Sequence, residues 1–357
     1  MKTILKEHSK KYPLMQPQDA VKLIYQATFG GGHLIKDEIA TLERLTAEYM
    51  SVEHRDIPLH TESLGEASRI YLDSVLNKTE LEIISKIFSA SAKYYCVGYD
   101  LADEHTKSIF AERLTQLKSL CREGCFSFSP RALDDYLTAY SASGYLPVSH
   151  SEEYRTAYKP SYRVIDSRYL PLFEAITAIA QLMKTNERVI VGIDGHCASG
   201  KTTAAKLIAD IFGGEVVHMD DFFLPPELRT NERLAATGGN IHSERFFDEI
   251  VAHLRNTNGF SYRKFECSKM AYADELCHIG NCDLIICEGS YSLHPNFGKY
   301  YDLALFFDVS PDEQTERIRK RDGEYMLSRF ISEWIPMENR YFETFEIKKK
   351  CDFVVRQ

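Results

Sequence analysis

The sequence predicts an α/β domain with a parallel sheet flanked by helices, preceded by a mostly α-helical N-terminal domain. Three observations carry this reading. The chain has 357 residues, a length suited to about two domains. Residues 1–165 place apolar side chains mainly at helical spacing. From residue 166 onward, short apolar, β-branched runs alternate with helical segments, the rhythm of a three-layer α/β domain.

The elements follow in chain order. Residues 20–29 come after Pro17, a usual first-turn residue, and carry Val21, Ile24 and Tyr25 on one helical face. Leu81, Ile84 and Phe88 repeat the spacing, as do Phe110, Leu114 and Leu117, and then Leu133, Tyr136, Leu137 and Tyr140. Residues 69–72 read as a short strand. The string Phe29-Gly30-Gly31-Gly32-His33-Leu34 is expensive in backbone entropy. A helix stop followed by a loop is the favoured reading; an anion nest with His33 as donor is the other. Tyr140, Tyr145, His150, Tyr154, Tyr158 and Tyr162 either line an interdomain pocket or pack where the domains meet.

Past Pro160 a helix carries Leu172, Ile176, Ile179 and Met183 and ends near Asn186. Residues 188–193, after Arg188 itself, are an apolar and β-branched run too short for a helix, which suits a strand buried on both faces. Further strands are expected at 215–219, 284–287, 303–309 and 353–355, with helices at 203–212, 243–254, 311–321 and 328–345. Ser310, Pro311 and Glu313 spell out a helix start.

Composition narrows the function. Acidic residues outnumber basic ones for a net charge of −9, which disfavours nucleic acid and anionic membrane as partners. No apolar run approaches the roughly 20 residues of a membrane span. The lysine-rich first residues lack the apolar core of a signal peptide, so a cytoplasmic location is expected. Nine cysteines, an odd number without repeating spacing, read as reduced thiols. Neither Cys121 with Cys125 nor Cys277-His278 with Cys282 matches a zinc finger or ribbon.

One motif decides the class. Directly after the strand at 188–193 stands Gly195-His196-Cys197-Ala198-Ser199-Gly200-Lys201-Thr202, followed by Thr203. This is G-x-x-x-x-G-K-[ST] opening a helix, the phosphate-binding loop. The glycines let successive N–H groups turn inward toward phosphate oxygens, and the helix adds its positive end. Lys201 reaches the outer phosphates and the Thr202 hydroxyl is suited to Mg²⁺. ATP and Mg²⁺ are therefore the expected cofactors.

The next strand ends in Asp220-Asp221-Phe222-Phe223, beside the loop, because ligands gather at the carboxyl ends of parallel strands. One of the two aspartates is expected to accept a proton from a substrate hydroxyl, Asp220 preferred because it ends the strand. A monophosphate acceptor needs no such base, so an alcohol acceptor is favoured. Glu288, at the end of the following strand, either holds Mg²⁺ through water or orients the nucleophile. Thr202, Asp220 and Glu288 form the expected metal set. Arg317 and Arg321 share a helix face with Lys320 beside them, and read as a cationic lid over the transferred phosphoryl group.

Together these residues resemble the uridine kinase-like branch of P-loop kinases, which also includes nicotinamide riboside kinase, pantothenate kinase and phosphoribulokinase. The resemblance spans residues 170–357 and rests on the loop, Asp220-Asp221-Phe222-Phe223, Glu288-Gly289, residues 317–322 and Trp334-Ile335-Pro336-Met337-Glu338. It implies that Asp220 is the catalytic aspartate, that Lys201 and Thr202 contact phosphate and Mg²⁺, and that Glu288 is an acidic active-site residue. It also implies an aromatic–basic acceptor segment, for which Tyr262-Arg263-Lys264-Phe265 is the nearest candidate. The family's usual Tyr-Asp-Phe followed by His is absent, and residues 224–242 form a long insertion with Arg229 and Arg233. Those two arginines either bind an anionic group on the substrate or are surface charges. Asp220, Phe223, Arg229 and Tyr262 are the expected acceptor-site residues.

The leading expectation is thus an ATP- and Mg²⁺-dependent kinase acting on a small alcohol, with a nucleoside such as uridine as best single acceptor. Two alternatives stand beside it. One is a nucleotide-gated module in which the loop domain controls the N-terminal half, and the other is a nucleoside monophosphate kinase.

Overall fold

The computed structural model describes the whole chain apart from Lys36, Cys96, Val97, Thr257 and Gln357. Contacts divide it into two units, Met1–Leu170 and Pro171–Gln357.

The first unit is mostly helical: α1 (Lys2–Lys11), α2 (Pro17–Phe29), α3 (Glu38–Met50), α4 (Lys78–Ser91), α5 (Glu104–Arg122), α6 (Pro130–Ala142) and α7 (Glu152–Tyr158). Local sequence explains the start of α2. Pro17 fills its first turn, and Asp19 reaches back to the Gln16 N–H at 3.0 Å. The same helix stops where Gly30 takes φ 62° and returns its N–H to Gln26 O. A Cβ on Gly31 would stand 2.7 Å from the Phe88 ring, so this glycine serves close packing. His33 meets the Tyr25 ring edge-on at 5.7 Å.

Beside the helices lies an antiparallel sheet of β1 (Thr61–Ser63), β2 (Ala67–Tyr71) and β3 (Tyr162–Asp166), with β2 central. The sequence indicates only part of β2. Its partner β3 carries Arg163 at mid-strand, nearly buried and paired with Glu48 at 2.7 Å, so no apolar run announces it. The tyrosine-rich stretch packs within this unit: His150 stacks on Tyr154 at 4.2 Å, and Tyr145 lies edge-on to Tyr140.

The second unit is the α/β domain. Strands β4 (Val189–Gly195), β5 (Glu215–His218), β8 (Leu284–Glu288), β9 (Leu303–Asp308) and β10 (Phe353–Arg356) form one parallel sheet, in the order β10-β9-β4-β8-β5. Every residue of β4 and β8 is buried, as expected for central strands covered on both faces. Around the sheet lie α8 (Phe173–Leu182), α9 (Lys201–Phe212), α10 (Asn231–Ala235), α11 (Ser243–Glu249), α12 (Pro311–Arg329), α13 (Ile335–Phe345) and α14 (Ile347–Lys350). At the start of α12, Ser310 Oγ accepts the Glu313 N–H at 3.3 Å.

Three departures from the sequence reading have local causes. The helix expected at 243–254 ends at Glu249 and gives way to a tighter turn over Val251–His253. The helix expected to stop at Arg321 continues to Arg329 across a break at Gly323, where φ is 81°. A π-turn over Phe330–Trp334 then joins it to α13. The third is an antiparallel hairpin of β6 (Phe260–Glu266) and β7 (Ala271–Ile279). Most of β7 is exposed, and Asp274 and Glu275 interrupt it at mid-strand, so it lacks the continuous apolar signal of a buried sheet strand.

Candidate active site

Register gathers the site. In parallel pairing, Glu288 of β8 stands beside Ile193 of β4 and His218 of β5. The carboxyl ends of these three strands therefore bring together the loop after β4, the Asp220 turn after β5, and Glu288.

The phosphate loop is shaped by its small residues. Gly195 takes φ 137°, Ala198 φ 56° and Gly200 φ 95°. A Cβ on Gly195 would lie 2.2 Å from Phe307 O, so the loop passes tight against β9. The His196 N–H donates to that same carbonyl, and the His196 ring sits edge-on to Phe306 and Phe342. Gly200 caps α9, leaving Lys201, Thr202 and Thr203 in the first turn, where backbone N–H groups lack helical partners.

Two observations fit this loop to a polyphosphate. Lys201 is nearly buried, and its ammonium donates at 2.8 Å to the carbonyls of Gly195 and His196, with Ser290 Oγ at 3.4 Å. Its hydrogen-bond partners are carbonyls and a hydroxyl rather than a carboxylate, an arrangement suited to an incoming anion. The Ser199 hydroxyl, buried in the same loop, has no protein partner among the described residues. The donors beside the loop suit Mg²⁺ as well: Thr202 Oγ1 lies 3.0 Å from Glu288 Oε1. Among the described residues no cluster of three or more His, Cys, Asp or Glu side chains offers a ready-made metal cage.

The adjacent aspartates separate in role. Asp221 turns inward, accepting from Tyr262 OH at 3.0 Å and pairing with Lys264 at 3.3 Å. Asp220 faces the open side of the turn. Its carboxyl is nonetheless held above the ordinary range, by desolvation in the cleft and then by the charge of Glu288. His218 Nδ1 approaches Glu288 Oε1 at 2.5 Å, and this hydrogen bond raises the imidazole's affinity for a proton.

The remaining candidates are placed as follows. Tyr262 is buried and stacks on Phe222, so its hydroxyl serves Asp221. Phe223 is half-buried and bridges to Ile241, closing the base of the long insertion. Arg229 is exposed and donates to Leu224 O, while Arg233 forms a two-pronged pair with Glu244 at 2.7 Å. Arg317 reaches the loop, donating to Ala198 O at 3.2 Å. Arg321 pairs instead with its neighbour Asp322 and is not brought to the loop.

Two acidic residues absent from the sequence reading of the site hold the loop in shape. Asp194, fully buried, accepts the N–H groups of Gly195, Tyr291 and Leu293 and the Tyr341 hydroxyl, all within 3.1 Å. Burial pushes its carboxyl up to about 6. Its place immediately before Gly195 was the available signal. Glu338 of α13 is 6% exposed and accepts the Cys197 N–H at 2.9 Å and Ser290 Oγ at 2.6 Å. Replacing Glu338 by alanine strands both donors, at about 1–3 kcal/mol each. ADP affinity is expected to fall roughly tenfold or more, while Glu338→Gln, which keeps an acceptor oxygen, retains most of it. Titration with ADP checks this; equal loss in both variants contradicts it.

No protein-family model matches the chain. A uridine kinase of Bacillus cereus (strain AH187) is 29% identical over 196 residues, covering 48% of this chain and 87% of that protein. The structure of a possible uridine kinase from Bacillus stearothermophilus aligns over 52% of this chain and all of that one, at 19% identity and a TM-score of 0.41. A D-glycerate 3-kinase from Cryptococcus neoformans aligns over 47% of this chain and 87% of its own, at 12% identity and a TM-score of 0.36. The half of the chain that carries the phosphate loop is thus similar in sequence to uridine kinases.

Proposed function

We propose that the protein transfers the terminal phosphoryl group of ATP to a hydroxyl of a small molecule, with a nucleoside such as uridine as the first acceptor. The observation that carries this reading is the convergence of the phosphate loop, Asp220 and Glu288 at the carboxyl ends of three parallel strands. The 29% identity to a uridine kinase supports the choice of acceptor.

Each residue has a role in this account. The loop from Gly195 to Thr203 grips the phosphates through backbone N–H groups and Lys201. Asp220 accepts the hydroxyl proton; its raised proton affinity makes it a stronger base than an ordinary carboxylate. Thr202 and Glu288 would hold Mg²⁺, which would supply neutralisation of the charge that develops on the transferred group. Arg317, already against the loop, adds a cation there, with Arg321 as a further lid residue on closure. Asp221 acts behind Asp220, fixing the turn through Tyr262 and Lys264.

The test is ADP formation by the full chain with ATP and Mg²⁺ against uridine, other nucleosides, small vitamin-like alcohols, CMP and UMP. Stimulation by an alcohol supports the reading. Stimulation by monophosphates alone overturns it.

A further inference from the structure

The N-terminal unit has a cavity of its own. A cavity of about 510 Å³ opens there, a volume suited to a molecule of nucleotide size. Tyr12 and Tyr71 line it, their hydroxyls 3.2 Å apart. Both donate to the buried carboxylate of Glu62, Tyr71 at 2.5 Å. Lys11 and Arg69 hold that carboxylate in turn, Arg69 at 3.3 Å. Arg69 is itself 1% exposed, bonds Gln26 Oε1 at 2.7 and 3.1 Å, and lies 4.5 Å from the Tyr162 ring centre.

This network fixes the polarity of the cavity floor. Burial alone would raise the Glu62 carboxyl, but the donors around it hold it down to about 2, so it is ionised. Both tyrosine protons are committed to it, leaving the phenol oxygens able only to accept from a ligand. The walls are flat and aromatic. His60 stacks on Tyr71 with ring centres 4.2 Å apart and planes at 13°, and Tyr158 stands edge-on to Tyr12. Charge at the lining is biased. Lys11, Arg55 and Lys159 line the cavity against one carboxylate, Asp73, which Arg55 and His60 share. Lys159 takes φ 44°, a left-handed position that glycine adopts at less cost.

We infer that this cavity binds a small planar molecule carrying a phosphate. Its ring lies along His60 and Tyr158, its donors meet the phenol oxygens, and its phosphate meets Arg55 and Lys159. The kinase reading enters only in the choice of ligand, because a nucleoside monophosphate is both such a molecule and the product class of that reaction.

Hydrogen–deuterium exchange on the full chain tests this, with UMP as probe and uridine and inorganic phosphate as its two halves. UMP is expected to protect residues 52–60 and 158–161 saturably, and at least tenfold more tightly than either half. Arg55→Glu with Lys159→Glu is expected to weaken that protection about tenfold or more, as charge-assisted bonds to the phosphate are lost. Arg55→Gln alone gives an intermediate loss if the double variant folds poorly. ADP formation by these variants stays at the unmodified level. Absence of UMP protection at 52–60 and 158–161, protection unchanged by the variants, or phosphate binding as tightly as UMP overturns the proposal. Protection confined to 195–203 and 220–229 overturns it while sparing the kinase reading.

Discussion

Replacing Asp220 by asparagine is expected to lower kcat by roughly 10²–10⁴-fold, the range for losing a positioned general base. ATP affinity should change little, because the proposed mechanism gives the grip on the phosphates to the loop and Lys201 rather than to this side chain. The raised proton affinity of Asp220 also fixes the pH dependence. A base works only when deprotonated, so kcat climbs with pH along a limb lying above the ordinary carboxylate range near 4. In the asparagine variant that limb disappears. The same side chain at Asp221 gives a different outcome. Asp221→Asn loosens a buried bond to Tyr262 and an ion pair to Lys264, so it lowers stability as well as rate. Steady-state kinetics over pH checks the pair; wild-type kcat in the Asp220 variant contradicts the assignment.

Gly195→Ala is the second large effect. Its φ of 137° lies in a region that side chains rarely adopt, at about 1–3 kcal/mol. The added methyl would also stand 2.2, 2.6 and 2.8 Å from backbone atoms of Phe307, none of which can rotate away. Relief requires moving β4 from β9 at the mouth of the phosphate loop. Overpacking of this kind costs about 1–3 kcal/mol more. The expected result is a chemical-denaturation midpoint well below wild type, together with loss of the thermal stabilisation expected from ATP. Gly213→Ala is the control. Gly213 also has positive φ, 68° with ψ 33°, but open space around its Cβ, so only the small left-handed cost of about 1 kcal/mol applies. Equal behaviour of the two variants contradicts the close-approach argument.

What the sequence reveals and what it hides divide along physical lines. The strands of the parallel sheet are legible because burial on both faces demands continuous apolar runs such as residues 189–193. The phosphate loop is legible because its chemistry sits in eight consecutive residues whose glycine spacing is itself the mechanism. The hairpin of β6 and β7 is not, since a solvent-facing ribbon needs no apolar run. Glu338 escapes the site reading for another reason. It meets Cys197 across 141 residues of sequence, so nothing near either residue announces the contact. The polar network of the N-terminal unit is hidden likewise. Glu62 and Arg69 are near neighbours on paired strands, but Gln26 joins them from 43 residues away. Local rules read loops and strands well; carboxylates and guanidinia brought together by tertiary folding leave no local trace.

Phosphorus NMR of a reaction containing the full chain, ATP, Mg²⁺ and uridine asks the central question at the level of the bond formed. The γ-phosphate signal is expected to decline as a phosphomonoester resonance on the nucleoside's sugar grows in equal amount. Release of inorganic phosphate alone, or a new diphosphate formed only when UMP replaces uridine, would mean that no alcohol is activated at Asp220.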